Sequence, residues 1–397
     1  MIFLFLLPGY LLACLYVAVR GFQWLGSLSK KFRRPAFIVP TSAVLALFVY
    51  SPMLAMLLPK SIPAILVRRL SSYWMGIILY TIMSIVFIEI LRFVCIHTKL
   101  RNTKLFTRSG AIITGLVVIA AAALCCIVGF VHARKIKTTT YDVTINKQVE
   151  GMDEMKIVLI ADTHLGYAIG RDHIKKTVDM INVCKPDLVI FAGDIFDNSL
   201  DGLDYPDELA ELFASIESKY GTWAVYGNHD INEKILMGFT FSTDTHPTHD
   251  DEMAAFLEKA NINILTDESI LIDDKFYLVG RRDAAKPGSS DGRRLSAYNL
   301  TRLLDKDKPI FFIAHEPDEL RETADAGADI DFSGHTHDGQ TFPLTVITRR
   351  IWENCCGVLK KDDMYSIVTS GVGVFGPFMR LGTDAEICEI NVRFSDA

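Results

Sequence analysis

The chain has 397 residues, 50% of them hydrophobic and 22% charged, and its mean hydropathy is +0.25. This composition excludes disordered, collagen-like and disulfide-dense proteins. Residues 1–137 carry 16 of the 41 lysines and arginines but one of the 47 acids, so the rest of the chain is strongly acidic. Non-specific nucleic-acid binding needs a basic surface, and we therefore expect no nucleic-acid partner.

Four apolar stretches occupy the first third of the chain, at residues 1–19, 36–59, 70–93 and 109–131. Each is close to the ~20 residues that a helix needs to cross the hydrocarbon layer of a membrane. A cleaved signal peptide is an alternative for the first stretch. It lacks the preceding basic residues of such peptides, however, and three further stretches follow it. The sequence therefore predicts an all-α domain of four transmembrane helices over residues 1–137.

Lysine and arginine are shared unequally among the segments that flank these stretches. The segments after the first and third stretches hold ten of them, and the other flanking segments hold six. Basic loops tend to stay in the cytoplasm, so both termini and the acidic domain are predicted to lie on the extracytoplasmic face of the cell membrane. Glu89 is the one acid within the stretches, and we expect it to pair with Arg92 on one helix face in a structural role.

The second part of the chain repeats one pattern five times, in which a short apolar run ends and a polar residue follows at once. These runs are predicted to be strands, and helices are predicted at 171–184 and 206–219. Ligands of α/β proteins collect at the carboxyl ends of the strands, so we expect the polar residues to converge there. They are Asp162, His164, Asp194, Asn228, His229, Asp230, His315, His335 and His337.

The types of residue at these strand ends indicate a metal site. Carboxylate, amide and imidazole groups suit Mn²⁺, Fe and Zn²⁺. The chain contains no CxxC motif and offers no thiolate in the pattern, which argues against a structural zinc site. One carboxylate can bridge two cations that lie ~3.5–4 Å apart, an arrangement that serves phosphoester hydrolysis.

The same residues form motifs that resemble those of the calcineurin-like metallophosphoesterase superfamily, over about residues 140–397. In chain order the motifs are Asp162-Thr163-His164, Gly193-Asp194-Ile195-Phe196-Asp197, Gly227-Asn228-His229-Asp230, His315 and Gly334-His335-Thr336-His337. The segment 315–318 and Gly339-Gln340 are similar to a membrane-anchored bacterial branch, which usually has glycine where this chain has Asp338. The resemblance implies a four-layer αββα sandwich of the α/β (α+β) class over residues 138–397.

The resemblance also implies a role for each residue around two divalent metal ions, with Mn favoured over Fe and Zn. The expected ligands are Asp162, His164 and His337 for the first ion, Asn228, His315 and His335 for the second, and Asp194 between them. His229 is the expected catalytic residue at the phosphate, and Asp230 is expected to orient its ring. Asp197 is expected not to be a ligand.

Together these features predict a membrane-anchored phosphodiesterase. Hydroxide, activated by the two ions, would attack a phospholipid, lipid-linked or cell-envelope phosphodiester. Membrane lipids and this substrate are the expected partners. The sequence does not indicate how many copies of the chain associate. A phosphomonoesterase or nucleotide phosphatase acting on a soluble substrate is an alternative. Others are a non-catalytic membrane sensor with a phosphoesterase-like domain, and a transporter with an accessory hydrolase domain.

Three further segments leave alternatives open. The polar segment 231–251, which includes His246 and His249, is an exposed loop, a lid over the site or a third metal site. The basic segment 281–294 carries solvated charge or recognises an anionic group. The GxGxxG spacing at 371–376 is weak evidence for nucleotide binding, and we expect a strand and loop there.

Overall fold

The computed structural model describes residues 2–58, 62–236, 239–241 and 246–395. The last residue of the second predicted span and parts of the 231–251 segment lie outside these ranges. The chain divides into two units, one of Met1–Phe130 with Gly376–Met379 and one of Val131–Phe375 with Arg380–Ala397. We describe each unit by itself.

Among the described residues of the first unit, four helices are long and apolar enough to cross a membrane. They are α1 (Ile2–Leu28), α2 (Pro35–Leu57), α3 (Ile62–Ile96) and α4 (Arg108–His132). The helix α3 begins eight residues before the predicted span, because the basic residues Arg68 and Arg69 continue the helix instead of ending it. Long basic side chains allow this, since their stems lie along apolar surface while the charged ends reach a polar region.

Glu89 does not form the predicted pair with Arg92. Its Oε1 instead accepts a hydrogen bond from Arg20 Nη2, so the ion pair joins α3 to α1. The guanidinium of Arg92 lies over the ring of Phe106, 5.8 Å from the ring centre. Packing of α1 against α3 brings Arg20 to the Glu89 carboxylate. Spacing along α3 alone had suggested Arg92 as the partner.

The second unit contains two six-stranded sheets. The first has the strand order β1-β14-β2-β3-β4-β7, and the second has the order β12-β13-β11-β10-β9-β8. The strands of the first sheet are β1 (Ile136–Ile145), β2 (Glu154–Ile160), β3 (Leu188–Ala192), β4 (Thr222–Val225), β7 (Ile262–Ile264) and β14 (Ala385–Phe394). Those of the second are β8 (Glu268–Ile272), β9 (Phe276–Gly280), β10 (Ile310–Ile313), β11 (Ile330–Ser333), β12 (Gly357–Lys361) and β13 (Met364–Val368).

The central strands of both sheets are parallel, which explains their nearly continuous apolar sequences. The strands β2, β3, β4 and β7 run parallel, as do β9, β10, β11 and β13. Parallel sheets are covered on both faces, so alternation of polar and apolar residues disappears. Every residue of β3 and β10 is buried.

The hydrophobic core lies between the two sheets. Ile157 and Ile190 of the first sheet pack in one cluster with Phe311 and Phe332 of the second. Helices cover the outer faces: α8 (Ala297–Thr301) and α9 (Leu320–Asp325) contribute to a second cluster on the second sheet. The helices that follow the strands of the first sheet are α5 (Arg171–Cys184), α6 (Pro206–Ala214) and α7 (Asp251–Lys259). The four layers are those of the expected αββα sandwich.

The remaining elements are short. The 231–251 segment contains a hairpin of β5 (Lys234–Leu236) and β6 (Phe239–Phe241), and α10 (Leu344–Ile351) follows the last motif. Residues 371–376 contain no described strand and form a loop between β13 and β14. The predicted domain boundary at residue 138 falls within β1.

Replacement of Phe332 by alanine tests the core between the sheets. The side chain is fully buried, so the F332A change should lower the free energy of unfolding by about 3–5 kcal/mol. Leu303 is 84% exposed, and its replacement by alanine should change stability by less than about 0.5 kcal/mol. Denaturant unfolding of the full chain in detergent measures both, and equal effects of the two changes would contradict this packing.

Candidate metal centre

The carboxyl ends of five parallel strands bring the predicted ligands to one place. Asp162 and Asp194 lie two residues beyond β2 and β3, and Asn228 lies three residues beyond β4. In the second sheet, His315 and His335 lie two residues beyond β10 and β11. The five strand ends are separated in sequence, but the parallel order of each sheet places them at the same edge.

Asp162, His164 and His337 form one group of potential ligands, with one ligand atom of each lying within 4.8 Å of the others. The Nε2 atoms of His164 and His337 are 3.1 Å apart, and Oδ1 of Asp162 is 3.7 Å from Nε2 of His337. The backbone N–H of His335 donates to both oxygens of the Asp162 carboxylate at 3.1 Å. These bonds fix the carboxylate in the direction of the two imidazoles.

Asp194, His315 and His335 form a second group, which Asn228 joins. The Oδ2 of Asp194 lies 3.1 Å from Nε2 of His315. The Oδ1 of Asn228 lies 3.1 Å from the same nitrogen and 3.0 Å from Nδ1 of His335. Oxygen and imidazole nitrogen therefore converge again on one small volume.

The carboxylate of Asp194 lies between the two groups. Its Oδ2 is 3.1 Å from His315 of the second group and 3.8 Å from His164 of the first. Its Oδ1 accepts the backbone N–H of His229 at 2.7 Å, which holds the group in place. This is the position that a bridging ligand requires, and the donor set of both groups fits first-row divalent cations.

Glycine at two positions allows the strand ends to approach this closely. A Cβ on Gly193 would lie 2.6 Å from Nδ1 of His315, and the residue has a φ of +82°. A Cβ on Gly227 would lie 2.3 Å from Oδ1 of Asp194. Gly193 and Gly227 therefore have to be glycine, because any side chain at these positions would collide with the site.

The ligands themselves adopt left-handed backbone conformations. The φ angles are +55° for Asp162, +44° for His164, +51° for Asp194, +67° for His335 and +50° for His337. Such conformations cost about 1–3 kcal/mol each in residues other than glycine. They occur where the chain turns sharply after a strand, which directs the side chain at the sheet edge.

Burial keeps most of the histidines neutral. It lowers the pKa of His164 and of His335 to about 3. It also lowers the pKa of His337 well below the usual range. A neutral imidazole offers a lone pair to a cation, so these side chains are in the form that binds metal.

The two aspartates differ in electrostatic environment. Burial raises the pKa of Asp162 to about 7. Burial also opposes ionisation of Asp194, but its neighbours His315, His229 and His164 outweigh burial and hold its pKa well below the usual value. The surrounding histidines thus favour the charged form of the Asp194 carboxylate, which lies between the two groups.

His229 is buried beside the two groups, and Asn198 orients its ring. The Oδ1 of Asn198 pairs with Nδ1 of His229, while Nδ2 of Asn198 donates to the carbonyl of Ile231 at 3.2 Å. Because the second bond identifies the amide nitrogen, Nδ1 of His229 carries the proton and Nε2 carries the lone pair. Burial lowers the pKa of His229 to about 4.

The orienting role expected of Asp230 is therefore corrected. Its carboxylate accepts the backbone N–H groups of Phe196 at 2.8 Å and Gly227 at 2.7 Å, and it shapes the loop instead of the ring. Sequence reasoning missed Asn198, although it directly follows the polar motif that ends at Asp197. A carboxylate oxygen of Asp197 lies within 4.8 Å of a ring nitrogen of His164 and of His229, so Asp197 also borders the site.

Phe375, in the 371–376 loop, forms an apolar wall of the site. Its ring centre is 4.4 Å from that of His229 and 5.3 Å from that of His164. The side-chain amide of Gln340 binds the Phe375 backbone twice, with Nε2 donating to its carbonyl and Oε1 accepting its N–H, both at 2.8 Å. The Gly-Gln pair after the last histidine motif thus holds this wall in place.

Arg380 is a fully buried cation behind the site. It donates to the carbonyls of Ser370 at 2.7 Å, Gly373 at 2.8 Å and Asp384 at 2.8 Å. Its Nη2 also lies 3.3 Å from Nδ1 of His337. Backbone carbonyls therefore compensate the buried charge, and the loop that backs the ligands is tied together.

Asp338 pairs with Arg349. The Nε and Nη2 of Arg349 lie 2.8 Å and 2.5 Å from the two oxygens of Asp338. The carboxylate of Asp338 is therefore neutralised by the guanidinium of Arg349, 11 residues later in the chain.

The charges of the 281–294 segment are mostly paired with acids. Arg281 lies 3.0 Å from Glu319, and Arg294 lies 2.9 Å from Asp318. Lys286 binds Glu233 of the 231–251 segment. These contacts favour neither solvated charge nor recognition of an anionic group, because the ion pairs join segments of the domain to one another.

The described part of the 231–251 segment packs near the site. The ring of His249 stacks on Tyr226 with centres 3.8 Å apart, and its Nδ1 bonds the carbonyl of Asp230 at 2.9 Å. Among the described residues, no group of potential metal ligands includes His246 or His249. The third-metal alternative therefore has no support in that part of the chain.

Comparison with known proteins shows what this part of the chain resembles. Residues 155–339 match the family described as calcineurin-like phosphoesterase. A protein of Danio rerio named transmembrane protein with metallophosphoesterase domain is 25% identical over 304 residues, which cover 75% of this chain and 66% of that protein. An uncharacterized metallophosphoesterase of Aquifex aeolicus (strain VF5) is 29% identical over 266 residues, covering 65% of this chain and 92% of that protein.

The chain thus spans just under two thirds of the length of the Danio rerio protein. Among solved structures, the NAD nucleotidase of Haemophilus influenzae is 13% identical, with a TM-score of 0.36. That similarity covers 55% of this chain and 45% of the nucleotidase.

Replacement of Asp194 by asparagine tests the position between the two ligand groups. An amide cannot bridge two cations as a carboxylate does, so D194N should reduce the metal content from about two ions per chain to one or none. Elemental analysis of the purified full chain after gel filtration measures this without an activity assay. Asp179, which is exposed on α5, provides the control change D179N, and equal metal content in both variants would contradict the assignment.

Proposed function

We propose that this chain is a membrane-anchored phosphodiesterase with a centre of two divalent cations. The match of residues 155–339 to the calcineurin-like phosphoesterase family supports a metal-dependent phosphoric ester hydrolase. The observation that carries the proposal is the position of the Asp194 carboxylate, which lies within 3.8 Å of a histidine of each ligand group. A single-ion site would need neither the second group nor a carboxylate shared between them.

The proposed ligands divide between the two ions. Those of the first are Asp162, His164 and His337, those of the second are Asn228, His315 and His335, and Asp194 serves both. When bound, the two cations supply Lewis-acid stabilisation of the phosphate charge and lower the pKa of water, so that hydroxide is available near neutral pH. Mn²⁺ is the ion that we favour for this set of oxygen and nitrogen ligands, ahead of Fe and Zn²⁺.

His229 is the proposed residue for proton transfer at the leaving oxygen. Because Asn198 fixes the proton on Nδ1, the free position is Nε2, which would take up a proton from solvent and pass it to the departing alkoxide. The acceptor on Nδ1 also favours the charged form of the ring during this step. Asp230 acts through the loop, since its carboxylate holds the backbone on either side of the catalytic histidine.

Phe375 and the buried ligands reduce access of bulk water. The ring lies against His229 and His164, so the proton-transfer residue and one ligand share an apolar neighbour. Charged interactions are stronger in such an environment than in water, which favours the negatively charged transition state of phosphate transfer.

The membrane unit supports a lipid or lipid-linked phosphodiester as substrate. One helix is enough to tether a domain, whereas this chain has four helices that are long and apolar enough to cross a membrane. A multi-pass protein in the cell membrane meets amphiphilic substrates within its own plane. The larger number of lysines and arginines after the first and third spans supports an extracytoplasmic position of the catalytic domain.

Variants of His229 and Asn198 test the proton-transfer step. H229A should lower kcat about 10²–10⁴-fold, because general acid–base catalysis contributes that much, while the metal content is unchanged. N198A should lower kcat about 10–100-fold, and N198D, which keeps an acceptor for Nδ1, should recover part of the loss. Asn299 is exposed on α8 and supplies the control N299A.

Steady-state kinetics of the metal-loaded full chain in detergent measures these effects. If N198D is as slow as N198A while both bind metal normally, Asn198 does not act through the imidazole. If H229A retains full kcat, His229 is not the proton-transfer residue.

Hydrolysis of model esters by the same preparation tests the reaction class. We expect Mn²⁺-dependent turnover of bis-p-nitrophenyl phosphate at least tenfold faster than that of p-nitrophenyl phosphate, with no turnover after chelation. Faster turnover of the monoester would replace the phosphodiesterase by the phosphomonoesterase alternative. Normal metal binding without turnover of either ester or of phospholipid vesicles would favour a non-catalytic sensor.

A further inference from the structure

A cavity of about 360 Å³ lies within the membrane unit, between α1, α3 and α4. One face of each helix lines it, with positions three or four residues apart: Val17, Arg20 and Trp24 on α1, and Ile85, Glu89 and Arg92 on α3. Its volume falls within the range of roughly 300–1,000 Å³ that is typical of small-molecule sites. The metal centre uses none of these residues.

Small residues and one tryptophan shape the cavity. Ala111 and Gly115 contribute little side-chain volume from α4. A Cβ on Gly115 would lie 1.9 Å from Nε1 of Trp24, so glycine is required for the indole to lie against this helix. The Nε1 of Trp24 donates to the carbonyl of Ile112 at 3.2 Å, which holds the indole as a wall.

One end of the cavity is charged, and the positive charge is in excess. Arg20 and Glu89 form an ion pair there, and Arg92 adds a second guanidinium. Two further arginines bind the carboxyl end of α1, with Arg33 donating to Gly26 at 3.1 Å and Arg108 donating to Ser27 at 2.7 Å. Charged groups next to hydrocarbon are costly unless a partner compensates them, so this end favours an anion.

The other end of the cavity is apolar, because Val17, Ile85, Val118 and Ile119 line it. A ligand that fills both ends must carry an anionic group next to a hydrocarbon chain. Basic pockets between transmembrane helices bind the head groups of anionic lipids by the same complementarity. A soluble anion would leave the apolar end empty, and a neutral lipid would leave the excess positive charge uncompensated.

We propose that this cavity binds one anionic phospholipid, with its phosphate at Arg20 and Arg92 and an acyl chain between α3 and α4. Guanidinium groups bind phosphate oxygens through paired N–H donors, which suits two arginines at one mouth. The lipid is a bound ligand of the helices rather than the substrate of the metal centre, so the proposal does not rest on the phosphodiesterase activity.

Lipid binding to the purified full chain in detergent tests the proposal. We expect native mass spectrometry to retain one dioleoyl phosphatidylglycerol per chain, with at least fivefold higher affinity than for dioleoyl phosphatidylcholine. R92Q should weaken binding of the anionic lipid about fivefold, as expected for loss of one basic residue at a membrane site. Arg101 is exposed outside the cavity, and R101Q should change binding less than twofold.

A second pair of variants tests whether the space inside the cavity is needed for binding. A111L fills part of the cavity and should prevent retention of the lipid, whereas L116F, at an exposed position of the same helix, should not. Inorganic phosphate should not compete at millimolar concentration. Equal binding of both lipids, equal effects of R92Q and R101Q, retention by A111L, or competition by phosphate alone would each overturn the proposal.

Discussion

The site depends on one buried carboxylate, that of Asp194, in contact with histidines from both ligand groups. Its Oδ2 lies 3.1 Å from His315 and 3.8 Å from His164, and its Oδ1 accepts the backbone N–H of His229. A buried charge is tolerated only where close partners compensate it. The two sheets, the glycines before the ligands and the sharp turns after the strands all serve to bring those partners within reach.

The surrounding structure offsets the energetic cost of this arrangement. Five ligands have left-handed backbone conformations, which persist only where neighbouring structure determines them. Arg380 ties together the loop behind the ligands by donating to four backbone carbonyls. Gln340 holds the Phe375 backbone through one donated and one accepted hydrogen bond. The buried central strands from which the ligands follow supply the rigidity that a precise constellation requires.

The two units of the chain follow different rules for charge. In the candidate metal centre, histidines and a backbone N–H group compensate the buried carboxylate of Asp194, and the surrounding donor set fits divalent cations. Within the membrane unit, arginines outnumber the single acid, and the excess at the end of a cavity calls for an anion. The same principle of compensating buried charge therefore supports the proposed cation centre in one unit and the proposed lipid site in the other.

The sequence alone determined the fold class, the four apolar helices and the identity of the residues at the strand ends, because these follow from local patterns. Apolar length identifies a membrane helix, and a polar residue directly after a buried strand must lie at the edge of the sheet. The tertiary structure decided which side chains meet. Asn198 rather than Asp230 contacts the ring of His229, and Arg20 rather than Arg92 pairs with Glu89. Such contacts join segments that are distant in sequence or that bend back in loops, so no spacing rule along the chain can reveal them.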